Sequence, residues 1–140
     1  MTAGGHLILE NGAAIKDNTS TVSYTGAGVS MSGGATFTMT GGEISGNTAT
    51  HGGGGVVIYD YSVFTMSGGE ISGNTAVGLG GGVSIGRNAG FTMNGGEIRD
   101  NTATDTGPFP IPGSRHAASV YGCGLTDDFC GFSQEFHRKP

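Results

Sequence analysis

The chain has 140 residues, of which 30 are glycine, 35% are hydrophobic and only 12% are charged. That length allows one domain with an appendage, the glycine excess over an ordinary ~7% argues against a large conventional core, and the low charge argues against a solvated, disordered chain. The formal net charge of -5 arises before Pro108, where Glu10, Asp17, Glu43, Asp60, Glu70, Glu97, Asp100 and Asp105 face Lys16, Arg87 and Arg99 (8 against 3), so no basic patch is offered to nucleic acid or to an anionic membrane.

No apolar run approaches the length of a membrane span, so this segment is not expected to insert in a bilayer. Met1 to Gly5 lacks a basic start and Leu7-Ile-Leu9 is too short for a signal-peptide core, so no signal peptide is read. The chain is then either a protein that stays inside the cell or a piece excised from a longer secreted one; repeats that begin almost at residue 1 favour the second.

Residues 6–36 read as a divergent first copy of a repeat. Leu7-Ile-Leu9 takes the place of Phe37-Thr-Met39, Ile15 that of Ile44, and Asn18 that of Asn47. Then Phe37, Phe64 and Phe91 open three closely similar phrases 27 residues apart (37 to 64, 64 to 91), the middle one reading Phe64-Thr-Met-Ser-Gly-Gly-Glu-Ile-Ser-Gly-Asn-Thr-Ala76. A fixed period of that size marks a stacked-repeat architecture. Asn18 precedes Asn47 by 29 residues, because the loop after it carries two more; Val29, Val56 and Val83 are back in phase, as are Met31, Ile58 and Ile85.

Each copy holds three short alternating segments: Phe37-Thr-Met39, Glu43-Ile-Ser45 and Val56-Val-Ile58 in the second. Alternate side chains of a strand face opposite ways, so Phe37 and Met39 are expected inside and Thr38 outside. Gly41-Gly42 separates the first two segments, since glycine accepts the angles of a sharp corner. Three strands per 27-residue turn predict an all-β fold, a single-stranded parallel β-helix or solenoid of about 3–4 coils, each paired with the next at roughly 4.8 Å. Its core is expected to hold columns of like residues: Phe37, Phe64 and Phe91; Met39, Met66 and Met93; Ile44, Ile71 and Ile98, with Ile15 before them. A helix does not fit apolar residues separated by one position, and the leucine signature of leucine-rich repeats is missing. Both ends of so short a coil would present open strand edges, which invites end-to-end self-association.

The repeat domain is placed at 1–107 and a distinct tail at 108–140, where all four prolines and both cysteines fall. Pro108-Phe-Pro-Ile-Pro-Gly113 reads as a stiff connector. Beyond it, Thr126 could cap a short helix with Phe129, Phe132 and Phe136 on one stripe, although Gly131 weakens that reading by about 1 kcal/mol. Such a tail could cap the coil; a disordered terminus is the alternative.

Asn18, Asn47, Asn74 and Asn101 form a column at a corner, expected to be an asparagine ladder whose amides bond to the copies on either side. Glu43, Glu70 and Glu97 form a second column. Paired acids serve glycosidases and stacked acids hold Ca²⁺, but nothing near in sequence completes either site, so a solvated outward stripe is expected. Thr38, Thr65 and Thr92, followed by Thr40, Ser67 and Asn94, form outward rows. A regular threonine face can match ice, whereas the lapse to serine and asparagine favours plain strand preference. With the glutamates, Thr38, Thr65, Thr92, Thr40 and Ser67 make the candidate outward binding face. His6, His51, His116 and His137 share no metal-ligand spacing, and no metal, cofactor or catalytic residue is read. Cys123 and Cys130 match no zinc or redox pattern; they can form a disulfide if the protein is secreted, or stay reduced. The recurring glycines are corners that open no helix, which rules out a phosphate loop.

Ile44-Ser-Gly-Asn47 and Ile71-Ser-Gly-Asn74, alternating with Gly53-Gly-Gly-Val56 and Gly80-Gly-Gly-Val83, resemble the repeats of polymorphic outer-membrane proteins and related bacterial β-helix surface proteins over residues 6–106. The likeness is to their Gly-Gly-Ala-Ile and Phe-x-x-Asn motifs, with isoleucine here in the place of phenylalanine. It implies a right-handed β-helix, a cell-surface or secreted setting of autotransporter-passenger type, and a part in adhesion or surface coating.

The expected function is therefore a non-catalytic structural or adhesive module binding a host or matrix protein or glycan, or stacking with other copies. A polysaccharide-active β-helix of lyase or glycosidase type is one alternative; it needs clustered charges, and Lys16, Arg87 and Arg99 are scattered along the sequence. Ice binding is the other. If a partner is recognised, the outward columns and the loops that differ between copies carry it: Thr19 to Thr25, Tyr59 to Val63 and Arg87 to Gly90.

Overall fold

In the computed structural model, residues 1, 4–22, 25–78, 80–86, 88–104 and 120–122 are described. They form sixteen short strands and no helix. The first coil contains β1 (His6–Leu9), β2 (Ala14–Lys16), β3 (Thr19–Ser20) and β4 (Val29–Met31). The second contains β5 (Thr36–Met39), β6 (Glu43–Ser45), β7 (Thr48–Ala49) and β8 (Val56–Ile58). The third contains β9 (Val63–Met66), β10 (Glu70–Ser72), β11 (Thr75–Val77) and β12 (Val83–Ile85). The fourth supplies β13 (Gly90–Met93), β14 (Glu97–Arg99) and β15 (Thr102–Thr104). From the tail, β16 (Val120–Gly122) pairs in parallel with β12.

Equivalent strands of successive coils lie side by side, giving four parallel four-stranded sheets: β1-β5-β9-β13, β2-β6-β10-β14, β3-β7-β11-β15 and β4-β8-β12-β16. The protein is a β-solenoid. Register follows the repeat, with Phe37 opposite Phe64, Ile44 opposite Ile71 and Val56 opposite Val83.

One expectation requires correction: each coil has four strands where the alternating segments pointed to three. The extra strand has two residues in the first two coils and three in the next two, and its inward residue is only serine or alanine, so its alternation carries little apolar contrast. Its alanines face into the coil, where Ala49 and Ala76 are fully buried.

The core is built from the expected columns. Phe37, Phe64, Met39, Met66, Ile44, Ile71 and Ile98 are buried. The rings of Phe37 and Phe64 stack with centroids 4.5 Å apart, and those of Phe64 and Phe91 at 4.9 Å. Phe91 and Met93 pack against this core but are only partly buried, because they belong to the last repeat coil and are covered less fully than their counterparts inside the stack. At the corner after the first sheet, Gly42, Gly69 and Gly96 take φ of 79°, 87° and 87°, angles that favour glycine.

The glycine triplets have a second duty. Gly54 N donates to Gly80 O, Gly55 N to Gly81 O and Val56 N to Gly82 O, at 3.1, 2.9 and 2.8 Å, so coil-to-coil pairing runs through the triplet into the fourth sheet. A Cβ on Gly54 would come within 2.7 Å of Thr75 O, and one on Gly81 within 2.5 Å of Thr102 O. Here the backbone packs against the backbone of the third sheet, with no room for a side chain. Gly53 also crosses the outside of the fourth sheet, where its Cβ would fall 2.7 Å from Val57 Cγ2 and 3.1 Å from Ser84 Cβ. Val57 and Ser84 point outward yet are buried, so this side of the coil is closed to a partner at these positions.

Candidate functional site

The asparagine column is a continuous ladder. Asn74 Oδ1 accepts from Asn47 N (3.0 Å) and Asn47 Nδ2 (2.8 Å). Asn74 Nδ2 donates to Ile44 O and to Asn101 Oδ1, both at 2.9 Å. Asn18 joins from the first coil, its N and Nδ2 donating to Asn47 Oδ1 at 3.1 and 2.9 Å. Asn47, Asn74 and Asn101 are buried, and each bond satisfies a group that would otherwise be costly to bury. The side-chain amide of Asn74 is fully used within the protein.

The glutamate column of the second sheet stands beside Lys16 and Arg99, while Arg87 lies outside the described residues. Lys16 occupies the register of Ser45, and Arg99 that of Ser72. Both therefore stand on the outer face of the second sheet beside the acids. Lys16 Nζ lies 3.1 Å from Glu43 Oε2. Arg99 reaches Glu70 Oε1 at 2.7 Å and Asp100 Oδ2 at 2.6 Å, with Glu97 at 3.7 Å. Ser72 Oγ also donates to Glu70. Hydrogen bonds from Ser45 and then Lys16 hold Glu43 below the usual carboxylate range. Those to Asp100 and then Glu70 raise the affinity of Arg99 for its proton. Aligning the copies places Lys16 and Arg99 in the serine column, but the diagonal reach that closes the pairs comes from the structure.

Outside the first sheet stand two columns. One is Ile8, Thr38, Thr65 and Thr92; the other is His6, Thr36, Val63 and Gly90. Thr38 and Thr65 are half-buried, whereas Thr92, Thr40 and Ser67 are exposed. Only the second coil carries threonine in both columns, so the hydroxyls make a single row and no two-dimensional lattice. His6 Nδ1 is hydrogen-bonded to Thr36 Oγ1, and His51 Nδ1 lies 3.1 Å from Thr50 Oγ1.

The corner between the fourth and first sheets differs from coil to coil in its residues. In the second coil it is Ser32-Gly33-Gly34-Ala35, with φ of 68° and 75° at the glycines. One coil on it is Tyr59-Asp60-Tyr61-Ser62, with φ of 48° at Asp60 and 63° at Tyr61 and a bond from Ser62 N to Tyr59 O of 3.2 Å. One coil further, Asn88 takes φ of 57°. Two successive residues of positive φ define a turn that suits glycine, asparagine and aspartate. Among the described residues, five non-glycine residues have positive φ, and Tyr61 alone of these is neither Asp nor Asn. Holding tyrosine there costs roughly 1–2 kcal/mol. Its side chain recovers little by burial, since Tyr61 is 73% exposed. The sequence marks this loop as variable, but nothing in it signals a left-handed tyrosine.

Among the described residues no three His, Cys, Asp or Glu side chains are grouped to hold a metal, and no helix is long and apolar enough to cross a membrane. Cys123, Cys130, His116, His137, Pro108 to Gly113 and the helix expected after Thr126 lie outside the described residues. No protein-family model, curated protein or solved structure matches the chain.

Proposed function

We propose that this β-solenoid is a non-catalytic structural and adhesive module of a bacterial surface or secreted repeat protein, displaying one flat sheet face and variable corners to a host or matrix protein or glycan. One observation carries the reading: the polar columns of the repeat are occupied in joining the coils. Asn47 and Asn74 spend their amides on the ladder, and Glu43 and Glu70 are paired with Lys16 and Arg99. What varies from coil to coil is the corner chemistry, which suits recognition. The likeness of the Ile-x-x-Asn and Gly-Gly-x-Val motifs to surface β-helices supports the same reading. The polysaccharide-cleaving alternative draws less support from acids that are already paired, and the ice-binding alternative less from a single hydroxyl row. Open edges on β1, β2 and β3 among the described residues favour stacking with further copies as an accessory property.

The test uses the immobilised full chain, presented with matrix proteins and a glycan panel, beside an assay for reducing ends and unsaturated sugar products. Saturable retention without product is expected. Turnover of any polysaccharide would overturn the proposal.

A further inference from the structure

We propose that the Tyr59–Ser62 turn, with Val63 beside it, binds an uncharged oligosaccharide, a sugar ring stacking on Tyr61. The inference rests on the adhesive reading and names the partner for one corner of it. Tyr61 occupies a left-handed position that Gly34 fills one coil earlier and Asn88 one coil later. It holds an aromatic ring out in solvent at 73% exposure, with Val63 at 43% exposure close by in the chain. Backbone strain at an exposed aromatic gains nothing for the fold, and strain of this kind gathers at ligand-binding positions.

The surroundings give the ring room. A Cβ on Gly34 would meet nothing within 4 Å, so the neighbouring coil leaves open space on its side of the corner. The other tyrosine is seated: a Cβ on Gly86 would come within 2.0 Å of Tyr59 Cδ1, so Gly86 leaves the space that the Tyr59 ring fills. A rigid, amphipathic ring at the tip of a turn offers contact area at low entropic cost. Its π-face suits the C–H face of a pyranose. Hydroxyl partners stand near in register: the exposed Asp60 carboxylate, the exposed Asn88 amide, and Thr65 on the adjoining sheet. Asp60 and the net charge of -5 disfavour an acidic sugar.

The experiment titrates the full chain with neutral oligosaccharides of glucose, mannose, galactose and N-acetylglucosamine. Binding is followed by saturation-transfer NMR and by tyrosine fluorescence, which no tryptophan obscures. At least one neutral series is expected to bind. Tyr61→Asn, which suits the left-handed angle, is expected to weaken that binding at least tenfold while melting at the same or a higher temperature; Tyr61→Phe is expected to keep most of it. Unchanged affinity in Tyr61→Asn overturns the proposal, as does binding of acidic glycans alone. If Tyr61→Asn still captures a matrix protein as the parent does, the adhesive reading stands and this site falls. If neither form retains any partner, both fall.

Discussion

Asn74 shows how much one side chain can hold in a repeat. It makes four hydrogen bonds through its amide, three to the preceding coil and one to the next, in a buried site. Asn74→Ala would leave Asn47 N, Asn47 Nδ2 and Ile44 O short of partners, and about 3–4 kcal/mol of stability should be lost. Asn18→Ala, at the exposed end of the ladder, should lose less than about 1 kcal/mol. Urea titrations at constant m-value compare the two; equal losses would mean that burial does not set the cost. The column itself was legible in the sequence, because a 27-residue period aligns Asn47, Asn74 and Asn101 without further information. Tyr61 was not legible in this way, since tyrosine has no turn preference to betray a positive φ. Nor was the Lys16–Glu43 pair, whose partners are 27 positions apart in sequence and one coil apart in space.

At the scale of elements, the glycine triplets decide whether a coil can close. The approach of Gly81 to Thr102 is backbone on backbone, so no side-chain shift can relieve an added methyl group. Gly81→Ala is expected to destabilise the protein by about 3 kcal/mol. Gly90 offers the control. It is a strand residue whose added Cβ would meet only Val63 methyl carbons at 3.7 and 3.9 Å. Gly90→Ala should be neutral or slightly stabilising, because it restricts the unfolded chain. Thermal melts followed by circular dichroism distinguish them, and a Gly81→Ala protein that melts like the parent would refute the close-packing account. The strands of the first, second and fourth sheets were readable because apolar and polar residues alternate over three or four positions in most copies. Those of the third sheet were not, because an inward serine or alanine gives little apolar contrast. The triplets were visible as corners, but their contact with the third sheet belongs to the cross-section of the coil, which no single copy encodes.

Over the whole molecule, each coil touches chiefly its neighbours, so stability sums along one dimension and charge pairs between coils add to each junction. Glu43 is held below the ordinary carboxylate range by Ser45 and Lys16. When unfolded it takes up its proton at higher pH than when folded, so between those two values the unfolded chain binds more protons and stability climbs with pH. The contribution is complete above the unfolded value and vanishes as pH falls through the folded one. Denaturant midpoints measured from pH 7 to pH 2 should therefore show an acid limb that Glu43→Gln flattens; an unaltered limb would assign it to other carboxylates. Arg99, pushed above an already high value, keeps its charge throughout and shapes no part of that limb. The ladder, finally, has a direction. From Asn18 to Asn74 each side-chain amide donates to the asparagine carbonyl of the next coil, while Asn47, Asn74 and Asn101 also donate back to Ile15, Ile44 and Ile71 O. Strand dipoles in a sheet largely cancel, but these carboxamides line up head to tail along the stack. They give a β fold an axial polarity of the kind found in an α-helix, partly negative at the Asn18 carbonyl and partly positive at the Asn101 amide.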